Sequence, residues 1–342
     1  SETPLSLAGT YSERPLWNPA ATIYLGRDLN LTGDDVNHPL LSDATSVEFG
    51  PKVTTINPYL FSENSKLENL TIGSGVTTIG EYAFNSCGTY WDDETHQGVE
   101  SLVVTMGSNV TTIGAHAFQN CGKLKSVSLP STLTTIGNET FYRTGLTSIS
   151  IPASVTSIGD FAFQYCDNMT SITIEDSETP LSLAGTYSER PLWNSATTIY
   201  IGRNLTLTGD DVNHPLLSEA TSVEFGPQVT AIPNYLFDGV ELSSVKVPWL
   251  TPVTLNAETF SAETYANATL WIPGGTMDAY EAANNWTSFV HKDFASFVVS
   301  ITGSAHGTLA VADISSTNNE AATTLIDRGE DAVFTVTPAT GY

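Results

Sequence analysis

The chain has 342 residues, and its 12 Lys and Arg against 37 Asp and Glu give it a formal net charge of −25. Its hydrophobic content of 40% is enough for a buried core and too high for a disordered chain. Because phosphate backbones and anionic membrane surfaces bind through clustered Lys and Arg, we expect no nucleic acid partner and no attachment to a membrane surface. All apolar runs are shorter than the ~18–20 residues that cross a bilayer, so we expect no membrane insertion of this chain.

A long direct repeat opens the chain. Residues 1–61 recur as residues 177–237, and 51 of the 61 aligned positions are identical. So few differences over an offset of 176 residues indicate a recent tandem duplication.

A shorter period lies inside this duplication. The pattern Val/Leu-Thr-Thr/Ser-Ile begins at intervals of 23, 34, 23 and 22 residues, and a Phe follows each time. The five segments begin at Val53, Val76, Val110, Leu133 and Val155, and the aromatic residues are Phe61, Phe84, Phe118, Phe141 and Phe163. One such coil cannot bury its own apolar face, so the period predicts a solenoid in which each Ile and Phe stacks on its equivalent in the next coil. A β-sandwich of short strands is the alternative, but it does not require this regular spacing.

Two local patterns predict the structure of each coil. Segments such as 126–130 (Ser-Val-Ser-Leu-Pro) alternate polar and apolar residues, which predicts short strands that pair into a parallel sheet with one face inward. The outward residues would form a small polar face for binding, and the candidates are Ser126, Ser128, Ser148 and Ser150. A Gly follows each Ile, as in Gly80 and Gly114, and we expect it to adopt a positive φ and lead into a short helical piece that carries the Phe.

The interval of 34 residues contains an insertion of about eleven residues between Cys87 and Val99. It places two aromatic residues next to three acids and a histidine, and these are our candidate binding residues: Tyr90, Trp91, Asp92, Asp93, Glu94 and His96. Aromatic rings beside hydrogen-bonding groups form a stacking surface, and loop excursions on solenoids often line a binding face. The alternative, which we consider the more common outcome, is that the rings fold back on the scaffold.

The remaining chemistry-bearing residues do not predict catalysis. Cys87, Cys121 and Cys166 each lie three residues after a repeat Phe, which favours a buried ladder over disulfides or a metal site. No metal-binding or catalytic motif is present, so we expect no metal site, no cofactor and no enzyme activity. Acidic pairs such as 34–35 and 210–211 leave Ca²⁺ open as a ligand, although they lack EF-hand spacing and solvated loop acids are the favoured alternative.

The unit from Val110 to Pro130 resembles the leucine-rich repeat of the BspA type, which is found on surface and secreted proteins of gut and oral bacteria. The resemblance covers roughly residues 20–275 and implies a leucine-rich repeat solenoid of short parallel strands joined by short helical or irregular segments. Residues 249–293 resemble the capping segment that closes such solenoids. Residues 294–342 are similar to the internalin-type B repeat, a small all-β module, and we expect this module to be partial because the sequence ends where the repeat continues.

We therefore predict a solenoid over residues 1–248, a C-terminal cap over 249–293 and a small β domain over 294–342. The clear repeats span residues 53–75, 76–109, 110–132, 133–154, 155–176 and 229–248. The resemblance implies a non-enzymatic scaffold for protein–protein interaction or adhesion, secreted from a bacterium or held on its surface, with host or bacterial surface proteins as partners. Two alternatives remain, a glycan-binding surface module and a structural spacer that displays a distal domain. We expect a monomer.

Overall fold

The fold is given by a computed structural model that describes residues 5–8, 21–32, 44–89, 91–92, 97–98, 100–184, 190–192, 194–208, 217–302, 307–311, 314–316, 321–327 and 334–338. The strands in chain order are β1 (Leu5–Ala8), β2 (Thr22–Leu25), β3 (Leu29–Thr32), β4 (Ser46–Phe49), β5 (Thr55–Ile56), β6 (Asn69–Thr71), β7 (Thr78–Ile79), β8 (Trp91–Asp92), β9 (Gln97–Gly98), β10 (Val103–Thr105), β11 (Thr112–Ile113), β12 (Thr135–Ile136), β13 (Ser148–Ile151), β14 (Ser157–Ile158), β15 (Ser171–Ile174), β16 (Leu181–Leu183), β17 (Thr198–Ile201), β18 (Leu205–Leu207), β19 (Ser222–Phe225), β20 (Ser244–Lys246), β21 (Thr269–Ile272), β22 (His291–Phe294), β23 (Ser296–Thr302), β24 (Gly307–Val311), β25 (Ile314–Ser316), β26 (Ala321–Asp327) and β27 (Phe334–Pro338). The helices are α1 (Ala262–Asn267), α2 (Met277–Ala282) and a 3-10 turn at Trp286–Ser288.

Successive coils stack with their strands parallel. The short Thr-Ile strands form sheet A in the order β18-β16-β14-β12-β11-β7-β5. The other strands of the coils form sheet B, which consists of two blocks with the orders β10-β6-β4-β2 and β13-β15-β17-β19-β20-β21-β22. The register places like residues side by side, so that Ile113 pairs with Ile79 on one side and Ile136 on the other. The predicted solenoid is confirmed.

The repeat phenylalanines form a continuous stack in the core. Phe84, Phe118 and Phe141 are buried, and the ring centroids of Phe118 lie 5.3 Å from Phe84 and 5.6 Å from Phe141. The planes of these neighbouring rings differ by 15° and 3°. Each ring therefore fills the space between the equivalent rings of the two adjacent coils. The regular spacing of Phe in the sequence thus follows from the stacking of the core.

The repeat cysteines extend this core as a ladder of hydrogen bonds. The thiols of Cys87, Cys121 and Cys166 donate to the carbonyl oxygens of Phe61, Phe84 and Phe141 at 3.2, 3.1 and 3.2 Å. All three thiols are buried and free, which confirms the predicted ladder. Besides filling space, each thiol donates a hydrogen bond to a buried carbonyl oxygen of a neighbouring coil.

The turn that carries each Phe differs from our expectation. It is a run of hydrogen-bonded turns and not a helix, and the positive φ falls two residues after the Gly, at positions such as Tyr82 (53°) and His116 (57°). The glycines Gly80 and Gly114 are required for a different reason. A Cβ on either would lie 2.6 Å from Pro58 N or 2.8 Å from Glu81 N in the adjacent coil, so only a glycine permits this close stacking.

Sheet B is interrupted at a place where the sequence predicted a strand. Residues 126–130 form no strand, and the two blocks of sheet B end at β10 and β13 on either side of them. Val104 of β10 pairs with the buried Leu70 but is only partly buried, as are Val127 and Leu129. The apolar packing that keeps neighbouring strands in register is therefore loose here, directly after the coil with the insertion.

Strand pairing in sheet A also stops, at an equivalent point within each copy of the duplicated unit. The side-chain oxygen of Asn204 accepts hydrogen bonds from the backbone N–H groups of Thr230 (2.8 Å) and Ala231 (3.1 Å), which lie in the next coil. Asp28, the equivalent residue of the first copy, accepts from the N–H groups of Thr54 and Thr55 at 2.7 and 3.1 Å. A side chain thus takes the place of strand pairing at the same point in both copies.

The C-terminal part closes the solenoid and adds a small all-β module. Sheet B continues through β21 to β22, and α2 lies within the predicted capping segment. The prediction missed α1, whose N-cap Ser261 accepts a hydrogen bond from Thr264 N. Beyond β22 the strands are antiparallel, with β23 paired to β26 and β24 lying between β25 and β27. The small β module is confirmed, whereas its likeness to the B repeat stays a prediction.

A buried arginine ties the second copy to the coils before it. The guanidinium of Arg203 is fully buried and donates to the carbonyl oxygens of Pro152 (2.6 Å), Ala153 (2.9 Å) and Val155 (2.7 Å). Burial lowers the pKa of this guanidinium from its ordinary value. Arg27, the equivalent residue of the first copy, is exposed. The three hydrogen bonds of Arg203 therefore fix the second copy against residues 152–155.

Phe118→Ala should lower the free energy of unfolding by about 3–5 kcal/mol, because it removes a ring from the middle of the stack and leaves a cavity. Urea unfolding monitored by circular dichroism measures the effect. Tyr24→Ala is the control, since that ring is 61% exposed and its loss should cost less than about 1 kcal/mol. A loss below about 1 kcal/mol for Phe118→Ala would place the ring outside the core.

Arg203→Met should destabilise the chain by about 3 kcal/mol or more, because three buried carbonyl oxygens lose their donor. Arg27→Met is a matched control in near-identical sequence and should cost less than about 1 kcal/mol at its exposed site. The same unfolding measurement compares the two. Equal effects in the two copies would contradict the structural role of Arg203.

The three thiols should be unreactive in the folded protein at pH 8 and should all react with iodoacetamide once urea unfolds it. Burial raises the pKa of Cys166 to about 11, so its reactive thiolate is about 100-fold scarcer at this pH than at the ordinary thiol pKa of 9.0. Burial likewise raises the pKa of Cys87. Alkylation of the folded protein should accelerate as the pH rises towards 11. A thiol that reacts at pH 8 as fast in the folded as in the unfolded chain would refute the buried ladder.

Candidate binding surface

The insertion is described in part. Trp91 and Asp92 form β8, which pairs antiparallel with β9 at Gly98 and Gln97. The other candidate residues of the insertion, Tyr90, Asp93, Glu94 and His96, lie outside the described residues, as do the side chains of Trp91 and Asp92. The described backbone is thus a short hairpin, and a stacking surface on it stays a prediction.

The four candidate serines lie on neighbouring coils and are exposed. Ser148 and Ser150 point outward from β13, and the hydroxyl of Ser150 donates to Glu175 Oε1 at 2.9 Å. Ser126 and Ser128 lie in the segment where sheet B is interrupted. A hydrogen bond from Thr147 N to Lys125 O (3.1 Å) places the start of this segment beside β13. The structure therefore brings the predicted serines together as a surface of short side chains.

The same face of sheet B carries larger side chains farther along the solenoid. We call the outward residues at one register position the outer row, and they are Ser150, Thr173, Tyr200, Glu224, Lys246, Trp271 and Asp293. Tyr200 and Trp271 are partly exposed, and Tyr200 donates from its hydroxyl to Asp176 Oδ1 at 2.9 Å. The outer row thus changes from small hydroxyls to two aromatic residues.

A charged pair lies between these aromatic residues. Lys246 Nζ and Glu224 Oε1 are 3.0 Å apart on adjacent strands, and both side chains are more than one third exposed. The pair is open to solvent, so it contributes little stability and remains accessible to a partner. Tyr and Trp are the residue types that most often supply binding energy at protein interfaces. The signal in the sequence was their position after the apolar residue of a strand, but only the register shows that they share a row.

The turn side of the coils carries a second set of exposed groups. The rings of Tyr59, Tyr82 and His116 stack with centroids 4.7 and 4.2 Å apart. His116 Nδ1 lies 3.6 Å from Glu139 Oε2, which also accepts a hydrogen bond from the side chain of Gln119. These residues occupy equivalent turn positions without being alike, so no sequence pattern marked them as a group.

Metal-binding clusters and membrane-spanning helices are both absent from the described part of the chain. There, no group of three or more His, Cys, Asp or Glu side chains is placed to hold a metal ion. Both acidic pairs named above fall outside these residues, so Ca²⁺ binding stays a prediction. Over the same residues, no helix has the length and apolar character needed to span a membrane.

Comparison with known proteins identifies the repeat. The family profile described as BspA type leucine rich repeat region matches residues 41–102 and 92–183, with 6 copies of the repeat. No curated protein matches the sequence.

Solved structures similar to this chain include leucine-rich repeat proteins of three bacteria. The protein from Bacteroides ovatus is 16% identical, with 84% of this chain and 87% of that chain covered and a TM-score of 0.37. The protein from Eubacterium ventriosum is 18% identical, with coverages of 74% and 80% and a TM-score of 0.36. The protein from T. pallidum is 21% identical, with coverages of 61% and 74% and a TM-score of 0.34.

The family match and the stacked coils agree in the part of the chain where the period is most regular. Ile113, Gly114 and Phe118 are repeat residues of the sequence and also neighbours of their equivalents in the structure. Residues 41–183 of this chain are therefore a BspA type leucine-rich repeat region.

Proposed function

We propose that the chain is a non-enzymatic scaffold that binds proteins through the outer face of sheet B and serves adhesion outside a bacterial cell. The observation that carries the proposal is the outer row, where Tyr200 and Trp271 flank the solvent-open pair of Glu224 and Lys246. Partly exposed aromatic residues bind a partner by desolvation, and the charged pair supplies orientation. The predicted bacterial surface location and the host or bacterial partner proteins rest on the resemblance to BspA-type proteins.

The form of the surface supports contact with a large partner. Seven parallel strands from β13 to β22 make up one uninterrupted block, and residues such as Ser148, Ser150 and Thr198 keep much of its face low and polar. A stack of coils presents an extended surface of this kind without a closed pocket. Few anchors on a broad surface favour modest affinity, which adhesion strengthens through many copies on one cell.

The chain should bind at least one component of a panel of extracellular matrix proteins, mucins and intact bacterial cells, measured by biolayer interferometry with the intact chain immobilised. The double variant Tyr200→Ala and Trp271→Ala should weaken that binding about 30-fold or more, because it removes both aromatic anchors. Tyr59→Ala, a partly exposed tyrosine on the turn side, is the control and should change the affinity less than about twofold.

Two outcomes overturn the proposal. Unchanged binding by the double variant would remove the outer row as the interface. Failure of the intact chain to bind any component would instead favour the structural spacer, which needs no ligand. Size-exclusion chromatography with light scattering, run on the same sample, tests the expected monomer.

A further inference from the structure

An open depression of about 440 Å³ lies on the turn side of the solenoid, away from the outer row. Arg143, Tyr165, Asp167 and Asn168 line it, together with Gly122 and Gly145 from the coil junction. Gly145 lies against the backbone of the adjacent coil, whereas Gly122 faces open space. A Cβ on Gly145 would lie 2.3 Å from Gly122 O, and no atom approaches within 4 Å of the position where Gly122 would carry one.

The cation of this depression is held in place by aromatic rings. The guanidinium carbon of Arg143 lies 5.3 Å from the ring centroid of Tyr142 and 5.3 Å from that of Tyr165. The two rings meet edge to face with centroids 5.4 Å apart. Aromatic faces attract a cation without neutralising it, so the positive charge stays available to a ligand.

The backbone of Arg143 is fixed as well. Its φ of 55° is in the left-handed region, which is unfavourable for a residue with a side chain, and its N–H donates to Gln164 O at 3.0 Å. A guanidinium fixed by backbone and rings loses little further freedom when it binds a ligand. The arrangement is therefore preorganised for an anion.

The other lining groups define what kind of anion fits. The ring of Tyr165 is 49% exposed and offers a flat apolar surface. Asp167 and Asn168 are exposed beside it and provide hydrogen-bond acceptors and a donor for hydroxyl groups. A ligand that uses all of these groups has one carboxylate, one apolar face and several hydroxyls, which is the chemistry of an acidic sugar.

The charges around the depression favour a single anionic group. Lys123 and Lys125 lie one and three residues after Gly122 in the sequence. Together with Arg143 they are three of the 12 basic residues of the chain. Asp167 and the net charge of −25 repel ligands with several adjacent negative charges, such as acidic peptides. We propose that this depression binds a carboxylate-bearing sugar residue, with Arg143 on the carboxylate, Tyr165 against the sugar ring, and Asp167 and Asn168 on its hydroxyls. The site goes beyond the proposed protein-binding function and does not depend on it.

Isothermal titration calorimetry with the intact chain tests the ligand class. Glucuronic acid and N-acetylneuraminic acid are the probes, and their methyl esters are matched controls that keep the ring and hydroxyls but lack the charge. The acids should bind at millimolar concentrations. The affinity of the esters should be lower by about tenfold or more, because a charge-assisted hydrogen bond is lost. Equal affinity for acids and esters, or no binding of either acid at about 10 mM, would overturn the proposal. Tighter binding of a tetraglutamate peptide than of both acids would reassign the depression to acidic peptides.

Substitutions locate the binding. Arg143→Gln and Tyr165→Ala should each weaken binding of the acids about tenfold or more, whereas Trp271→Ala in the outer row should leave it within about twofold. Asn168→Ala provides a further measurement that leaves the Arg143 cage intact and changes no charge, and it should weaken binding of the acids and of their esters alike. The melting temperature of each variant confirms that the fold is retained. Unchanged affinity in both Arg143→Gln and Tyr165→Ala would place the ligand elsewhere. Trp271→Ala affects only the protein-binding proposal, so the two proposals fail separately.

Discussion

Hydrogen bonding from coil to coil is the constraint on which the rest of the structure depends. Sheets A and B bond each coil to the next, and the turn side does the same through bonds such as Phe84 N to Ala117 O (2.9 Å). Because the coils are in register on all of these sides, any buried side chain must stack on its own equivalent. The Phe stack, the Ile pairs of sheet A and the thiol ladder are three results of that requirement.

This requirement explains which parts of the fold could be predicted from the sequence. Ile113, Phe118 and Cys121 repeat because the core repeats, so their spacing was sufficient to predict stacking and burial. The role of Gly114 was wrong, because a positive φ and a lack of room for Cβ produce the same sequence signal and only the adjacent coil distinguishes them. The missing strand at residues 126–130 has a similar explanation. Its local alternation is typical of a strand, but the loose packing around Val104 is a property of the tertiary structure.

Binding surfaces follow the opposite logic, since outward positions are free of the stacking requirement. Tyr200 and Trp271 in the outer row, and Arg143 with Tyr165 on the turn side, occupy repeat positions but are not repeated residues. No periodicity marks them, and they become a group only when the register shows which coils are neighbours. The sequence revealed the insertion because it broke the period, and it revealed the candidate serines because they alternate with the apolar residues of a strand. An insertion that lengthens one repeat is thus visible in the sequence. An unusual side chain at an outward repeat position is recognised as part of a binding surface only in the structure.

The duplicated unit shows which contacts are repeated together with their sequence in a stacked fold. Asp28 and Asn204 occupy equivalent positions, and each side chain accepts hydrogen bonds from two equivalent backbone N–H groups in the coil that follows within its own copy. Arg203 instead reaches outside its copy, to the carbonyl oxygens of residues 152–155. Contacts within a duplicated unit are therefore copied with it, whereas contacts across its boundary depend on the coils next to it. A binding site that spans two coils, such as the depression at Arg143, is inherited by duplication only when both coils are copied together.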